Sequence, residues 1–195
     1  MEKELNINPS KTAVVVIDLQ KGITQIPTQP FSSETVVSNT AKVLDICRKK
    51  EIKIFLVRVT RSPDLKDSLK PISETSFQRN QSDTSWSEYV PQLNIQPGDF
   101  LITKHQWGAF YGTELDLQLR RRGIDTILLC GIATNFGVES TARFAYEYGF
   151  NQIFVEDAMS ARSKEEHDAS IKYIFPRLGL IRTTEDIIDS LKNYK

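Results

Sequence analysis

Cysteine and histidine are scarce in this chain, at two residues each among 195. That scarcity argues against a disulfide-stapled scaffold and against a metal centre built from clustered thiols and imidazoles. Cys47 and Cys130 both lie inside apolar runs, without CxxC or other metal-ligand spacing, and read as buried reduced thiols. Net charge is lacking too: 25 Lys and Arg balance 25 Asp and Glu, which gives no electrostatic reason to expect nucleic acid or an anionic membrane as partner. No apolar stretch approaches the length of about 18 residues that a membrane helix needs. The Met1-Glu2-Lys3-Glu4 start is charged rather than signal-like, so a cytoplasmic location is expected. The sequon Asn80-Gln81-Ser82 carries little weight without a secretory signal. No repeat, linker or low-complexity tract breaks the chain, and residues 1–195 are expected to form one domain acting on a small molecule.

What the chain does contain is an alternation of short β-rich apolar runs with longer helical patterns, the pattern of a parallel sheet flanked by helices. Residues 12–19 (TAVVVIDL) predict a first strand whose continuous apolar character suits burial on both faces. A helix is expected over 36–50, with Val36, Val37, Val43, Leu44 and Cys47 as its apolar stripe, and a second strand over 52–59. Residues 60–98 lose periodicity and carry four prolines, reading either as a binding loop or as a surface excursion. Within it, Trp86 and Tyr89 are lid aromatics or anchors to the body. Strands are expected over 100–103, 125–130, 151–155 and 178–182. Helices are expected from a Thr113 cap to Gly123, over 136–148, from a Ser163/Glu166 capping box to 174, and over 184–191.

In open parallel sheets ligands bind at the carboxyl ends of the strands, where strand order reverses. Three positions fall there: Asp18 at the end of the first strand, Lys104 after the third, and the 131–137 turn between the fourth strand and its helix. Asp18 follows five apolar residues, so its carboxylate needs a partner. Capping the 20–22 loop is the plainer role for it, and solvent exposure the plainer fate of Lys104. Taken together, on what read as neighbouring strands, each offsets the other's desolvation. The turn Ala133-Thr134-Asn135-Phe136-Gly137 leads into a helix, so its amides suit an anion or a developing oxyanion, or are simply capped by Thr134 or Asn135.

The ordered set Asp18-Leu19-Gln20, Lys104, Gly108-Ala109-Phe110, Thr113-Glu114-Leu115, Gly131-Ile132-Ala133-Thr134-Asn135 and Val138-Glu139-Ser140-Thr141-Ala142-Arg143 resembles the isochorismatase-like superfamily of cysteine hydrolases. Glu156-Asp157-Ala158 and Glu166-His167 continue the pattern, so the resemblance runs from about residue 12 to 188. It implies a three-layer α/β fold with a six-stranded parallel sheet in order 3-2-1-4-5-6, a cis peptide between Ile132 and Ala133, and a homodimer or larger homo-oligomer. It implies Asp18 and Lys104 as catalytic residues, and Gly137 at the position where cysteine members carry their nucleophile. Cys130, in the strand interior, does not replace that thiol. Members with isochorismatase activity need no thiol: an Asp protonates the enol ether carbon, water adds, and pyruvate leaves. By that resemblance Asp18 is the acid and Lys104 the counter-ion of a substrate carboxylate.

Gln20, Trp107, Phe110, Ala133, Thr134, Asn135 and Phe136 are the expected substrate-binding residues, with Trp107, Phe110 and Tyr111 forming either an aromatic wall or a subunit contact. The Ala-Thr-Asn sequence at 133–135 leans toward the amidase side of the superfamily. No cofactor and no metal are expected, since 58–69 lacks the histidine of the nicotinamidase-type site. His105 and His167 read as structural. The expected activity is hydrolysis of a small carboxylated or enol ether metabolite by Asp/Lys acid-base chemistry. The alternative is a non-catalytic descendant that binds a small carboxylate; a cysteine amidase with a displaced nucleophile ranks third.

Overall fold

Six short β-rich runs pair in parallel to form the sheet of a computed structural model that describes residues 5–75 and 84–194. β1 (Thr12–Ile17), β2 (Lys53–Val59), β3 (Phe100–Lys104), β4 (Thr126–Ile132), β5 (Asn151–Ser160) and β6 (Leu180–Arg182) lie in the order β3-β2-β1-β4-β5-β6. The order and the flanking helices are those the resemblance implies. Every residue of β1 is buried, because alternate side chains feed two cores. Val14 and Val16 join Val43, Leu44, Ile187 and Leu191 on one face, while Ala13, Val15 and Ile17 join Leu115, Leu119, Ala142 and Phe175 on the other.

The helices follow local signals. α1 (Lys21–Thr24) is a single turn after β1. α2 (Ser33–Lys49) starts three residues earlier than its apolar stripe suggests, because the Ser32 hydroxyl accepts from the Thr35 N–H. α3 (Leu115–Arg121) has Glu114 in the cap position, yet the Thr113 hydroxyl still accepts from Leu115 N at 3.1 Å. α4 (Glu139–Glu147) is entered through a π-helical turn, Thr134–Val138. α5 (Lys164–Ala169) opens with the expected Ser163/Glu166 capping box and runs through a second π turn into α6 (Phe175–Leu178). The helical tract therefore ends later than expected and takes Leu178, leaving β6 only three residues. α7 (Thr184–Asn193) closes the chain.

Two boundaries bear on the site. The first strand stops at Ile17 rather than at residue 19, since Asp18 turns into the left-handed region at φ 54°. β5 runs five residues beyond expectation, to Ser160, with a register irregularity opposite β4 between Leu129 and Gly131. In the 60–98 segment, Trp86 lies over Gly22, where an added Cβ would come within 1.7 Å of its ring. Tyr89 bridges Gln20 and donates its hydroxyl to Leu56 O at 2.8 Å. Both aromatics therefore anchor the segment to the body; the sequon lies outside the described residues.

Candidate active site

β1 lies between β2 and β4, and chain connections leave it toward opposite sides of the sheet. The crevice at its carboxyl end is thus the reversal point where α/β sheets place ligands. Ile17 pairs with Val57 and Gly131, Val59 with Lys104, and Ile132 with Ser160, so five strand ends meet at one edge. Gly131 is required by this closeness: its φ is 122° and a Cβ there would fall 2.1 Å from Ile17 O. The peptide that follows, Ile132-Ala133, is cis.

Asp18 is held in its left-handed conformation by its N–H to Val57 O at 2.9 Å and by its carbonyl, which accepts from Gln20 N at 2.8 Å. An Asp tolerates that region better than most side chains. Its Oδ2 lies 2.9 Å from Lys104 Nζ. The strands reading as neighbours are in fact separated by β2, and the lysine spans the gap because of its length. Lys104 is fully buried at 0% exposure and also donates to Trp107 O. Its ammonium stands 3.2 Å from where a Cβ on the cavity-lining Gly137 would lie.

That cavity holds about 100 Å³ and is lined by Asp18, Trp107, Ala133, Phe136 and Gly137 among the expected residues. Trp107 meets Phe136 edge-on at 4.9 Å between centroids. Ile23, Ile26, Thr28, Val59, Gln106, Ile132, Ala161 and Arg162 complete the lining. Apart from Ile132, which belongs to the 131–135 motif, none of these eight carries a local sequence signal; α1, the loop before α2 and the end of β5 reach the site only through folding.

Gln20, Phe110, Thr134 and Asn135 do not line it. Gln20 is wholly buried and clamps the loop after β1 to the end of β2, donating to Val59 O at 3.0 Å and accepting from Val59 N at 2.8 Å. Phe110 packs between Tyr148 and Phe150, and Tyr111 points outward at 72% exposure. The aromatic wall is therefore Trp107 with Phe136. Thr134 is buried with its hydroxyl 2.9 Å from His167 Nδ1. Burial holds His167 below the usual imidazole range, Asp168 opposing that shift and Lys164 adding to it. His105 lies at the other side of β3, 3.0 Å from Asp67 Oδ2.

The 133–137 turn is less open to an anion than its position suggests. The N–H groups of Phe136 and Val138 both donate to Ala133 O at 3.2 Å. Gly137 is fixed by its carbonyl, which accepts from the Thr141 hydroxyl at 2.6 Å. A Cβ built on Gly137 would lie 3.1 Å from Asp18 Oδ2, 3.2 Å from Lys104 Nζ and 2.8 Å from Ile17 Cγ2. The space over Gly137 is thus the inner end of the cavity, walled by the ion pair.

Neither thiol reaches it. Cys130 is fully buried in β4, its ionisation pushed up to about 12 by desolvation, and Cys47 in α2 is raised by the same cause. Among the described residues no group of three or more His, Cys, Asp or Glu side chains is placed to hold a metal ion, and no helix is long and apolar enough to cross a membrane.

A family model described as the isochorismatase domain matches residues 12–186. The chain is 52% identical over 194 residues to the uncharacterized isochorismatase family protein YwoC of Bacillus subtilis, covering 98% of this chain and 100% of that protein. The structure of an isochorismatase family protein from Burkholderia thailandensis superposes with a TM-score of 0.92 at 43% identity, covering 96% of this chain and 98% of the other. The ureidoacrylate amidohydrolase RutB of Agrobacterium fabrum is 29% identical over 177 residues, 79% of this chain and 78% of that protein.

Proposed function

The chain belongs to the isochorismatase family of hydrolases, and on that premise we propose that it hydrolyses a small carboxylated or enol ether metabolite by acid-base chemistry of Asp18 and Lys104, without a thiol nucleophile. The observation that carries this reading is the pairing of a glycine with an intact ion pair. Gly137 offers no nucleophile, yet it lines the same cavity as Asp18. A substrate atom held in that cavity comes within proton-transfer reach of the carboxyl group.

For an enol ether the steps balance as follows. Protonated Asp18 delivers its proton to the terminal carbon of the double bond, leaving an oxygen-stabilised cation. Water adds to that cation, Asp18 takes back a proton from it, and the hemiketal collapses to a keto acid and an alcohol. Lys104, fixed between Asp18 and Trp107 O, stabilises the carboxylate left after the first transfer. The same contact opposes loading the next proton. Apolar walls from Ile23, Ile26, Val59 and Ile132 limit water around the cation.

The experiment is a turnover assay of purified protein against isochorismate and a panel of enol ethers and small amides, reading pyruvate or ammonia. Pyruvate release that Asp18→Asn abolishes, with the circular dichroism spectrum unchanged, supports the proposal. Absence of turnover across the panel sinks it. Ligand binding that survives Asp18→Asn without any product assigns the chain to the non-catalytic, carboxylate-binding reading.

A further inference from the structure

Thr134 stands between Ala133 and Phe136 in the turn that lines the cavity, yet its own side chain is turned away and fully buried. Among the described residues its hydroxyl meets one partner, His167 Nδ1 at 2.9 Å. His167 belongs to α5 and is 1% exposed, and its Nε2 has no hydrogen-bond partner among the described residues. Half of the polar capacity of the imidazole is thus buried unused, a cost that an apolar side chain of similar size would avoid. What the imidazole contributes is one directed bond, and that bond ends on the wall of the cavity.

Three pieces of that wall converge on the ring. The first is the 133–137 turn, through Thr134. The second is the loop that places Thr28 in the lining: its Phe31 meets the imidazole edge-on at 6.0 Å between centroids. That loop is tied to the end of β5, where the Ser160 hydroxyl accepts from Phe31 N at 3.3 Å and donates to Phe31 O at 2.8 Å. The third is the start of α5, where Ala161 and Arg162 line the cavity and the Ser163/Glu166 capping box fixes the first turn of the helix that carries His167. Burial favours the neutral imidazole, Asp168 and Lys164 of its own helix act on it in opposite senses, and residues 26–32 and 133–138 contain no ionisable side chain. The turn's own bonds are weak by comparison: Phe136 N and Val138 N share one acceptor, Ala133 O, each at the long distance of 3.2 Å.

We propose that His167 is a positioning residue of this cavity: through its bond to the Thr134 hydroxyl it fixes the turn that carries Ala133, Phe136 and Gly137 beside Asp18 and Trp107. It touches no ligand and acts through the turn alone. The inference takes from the proposed hydrolysis only that this cavity is the place of reaction; the order of the turn is read without turnover.

The test is residue-resolved amide hydrogen exchange by NMR on the native protein, His167→Leu, His167→Asn and the double variant His167→Leu/Thr134→Val, with urea denaturation giving the global stability of each. In His167→Leu the amides of Phe136 and Val138 are expected to exchange about three- to ten-fold faster than its change in global stability accounts for. His167→Asn, whose side-chain amide can still meet the Thr134 hydroxyl, is expected to restore most of that protection. The double variant leaves neither partner unpaired, so it is expected to regain global stability without regaining protection in the turn. Exchange at these two amides that is unchanged in His167→Leu, that rises only in step with every core amide, or that the double variant restores overturns the inference, since the ring then only fills space. Should His167→Leu fail to fold, Thr134→Val compared with Thr134→Ser carries the same reading. Where the turnover panel finds a substrate, kcat/KM is expected to fall in His167→Leu and recover in His167→Asn, and a value unaltered in His167→Leu overturns the inference while the hydrolysis stands. A silent panel sinks the hydrolytic reading alone and leaves the exchange rates to decide the role of His167.

Discussion

Replacing Gly137 with alanine sets two effects of opposite sign against each other. Gly137 has no positive φ and sits in the π turn leading into α4, so an alanine adopts the native backbone. The reduced freedom of the unfolded chain then favours folding by about 0.4–1 kcal/mol. Against this, the new methyl would stand 2.8 Å from Ile17 Cγ2 and 3.1 Å from Asp18 Oδ2. Ile17 is fully buried and β-branched, with a single preferred rotamer and no slack, and overpacking of such a site costs about 1–3 kcal/mol. The net expectation is a loss of about 0.5–2 kcal/mol, which for a chain of this size lowers Tm by about 1–8 °C. Urea denaturation followed by circular dichroism reads it as a lower midpoint at constant slope. The same methyl fills the inner end of the cavity, so ligand affinity or turnover falls about ten-fold or more while the fold persists. An alanine variant more stable than the native protein by the full conformational gain would refute the reasoning, because it would mean that the space above Gly137 is not walled by Ile17 and the ion pair.

Gly131→Ala is the harsher change: with φ at 122° and Ile17 O only 2.1 Å from the added Cβ, backbone must move, and soluble yield together with the urea midpoint should collapse by about 3 kcal/mol or more. Lys104→Met strands the Asp18 carboxylate in a buried site and costs about 3–5 kcal/mol; adding Asp18→Asn should restore more than about 1 kcal/mol of that, and a double-mutant cycle showing simple additivity would contradict the pair. His167 is held below its unfolded value, largely by desolvation. As pH falls from about 6.5 the unfolded chain takes up a proton that the folded chain refuses, so stability is full above that pH and is lost below it. His167→Gln should flatten this part of the stability-pH curve, and a slope that survives the substitution must come from other groups. With Cys130 ionising near 12 and Cys47 higher still, both thiols should resist alkylation by iodoacetamide in the native protein and react on unfolding, as counted by mass spectrometry.

The sequence by itself determined the sheet, because a strand buried on both faces must be apolar throughout and the residues of β1 are. It also determined the cap of α5, where the Ser163 hydroxyl answers the Glu166 N–H three residues on, while the caps of α2 and α7 at Ser32 and Thr183 came to light only in the fold. Periodicity could not mark where a helix passes into a π turn and continues, which is why the tract after Ser163 runs on to Leu178 and β6 is short. Asp18 and Lys104 were legible as a pair, since a charge at the end of an apolar run calls for a partner. Their separation by β2 and the enclosure of the ammonium were not, because burial of a long side chain depends on what the 105–110 loop places over it. Tertiary structure alone decided which of the turn residues face the ligand: the cavity takes Ala133, Phe136 and Gly137 and turns Thr134 toward His167. It alone brought Arg162 to the cavity, 144 residues along the chain from Asp18. An exposed arginine has no local pattern that distinguishes it from any other, and only the convergence of strand ends at the reversal point brings it to the cavity wall.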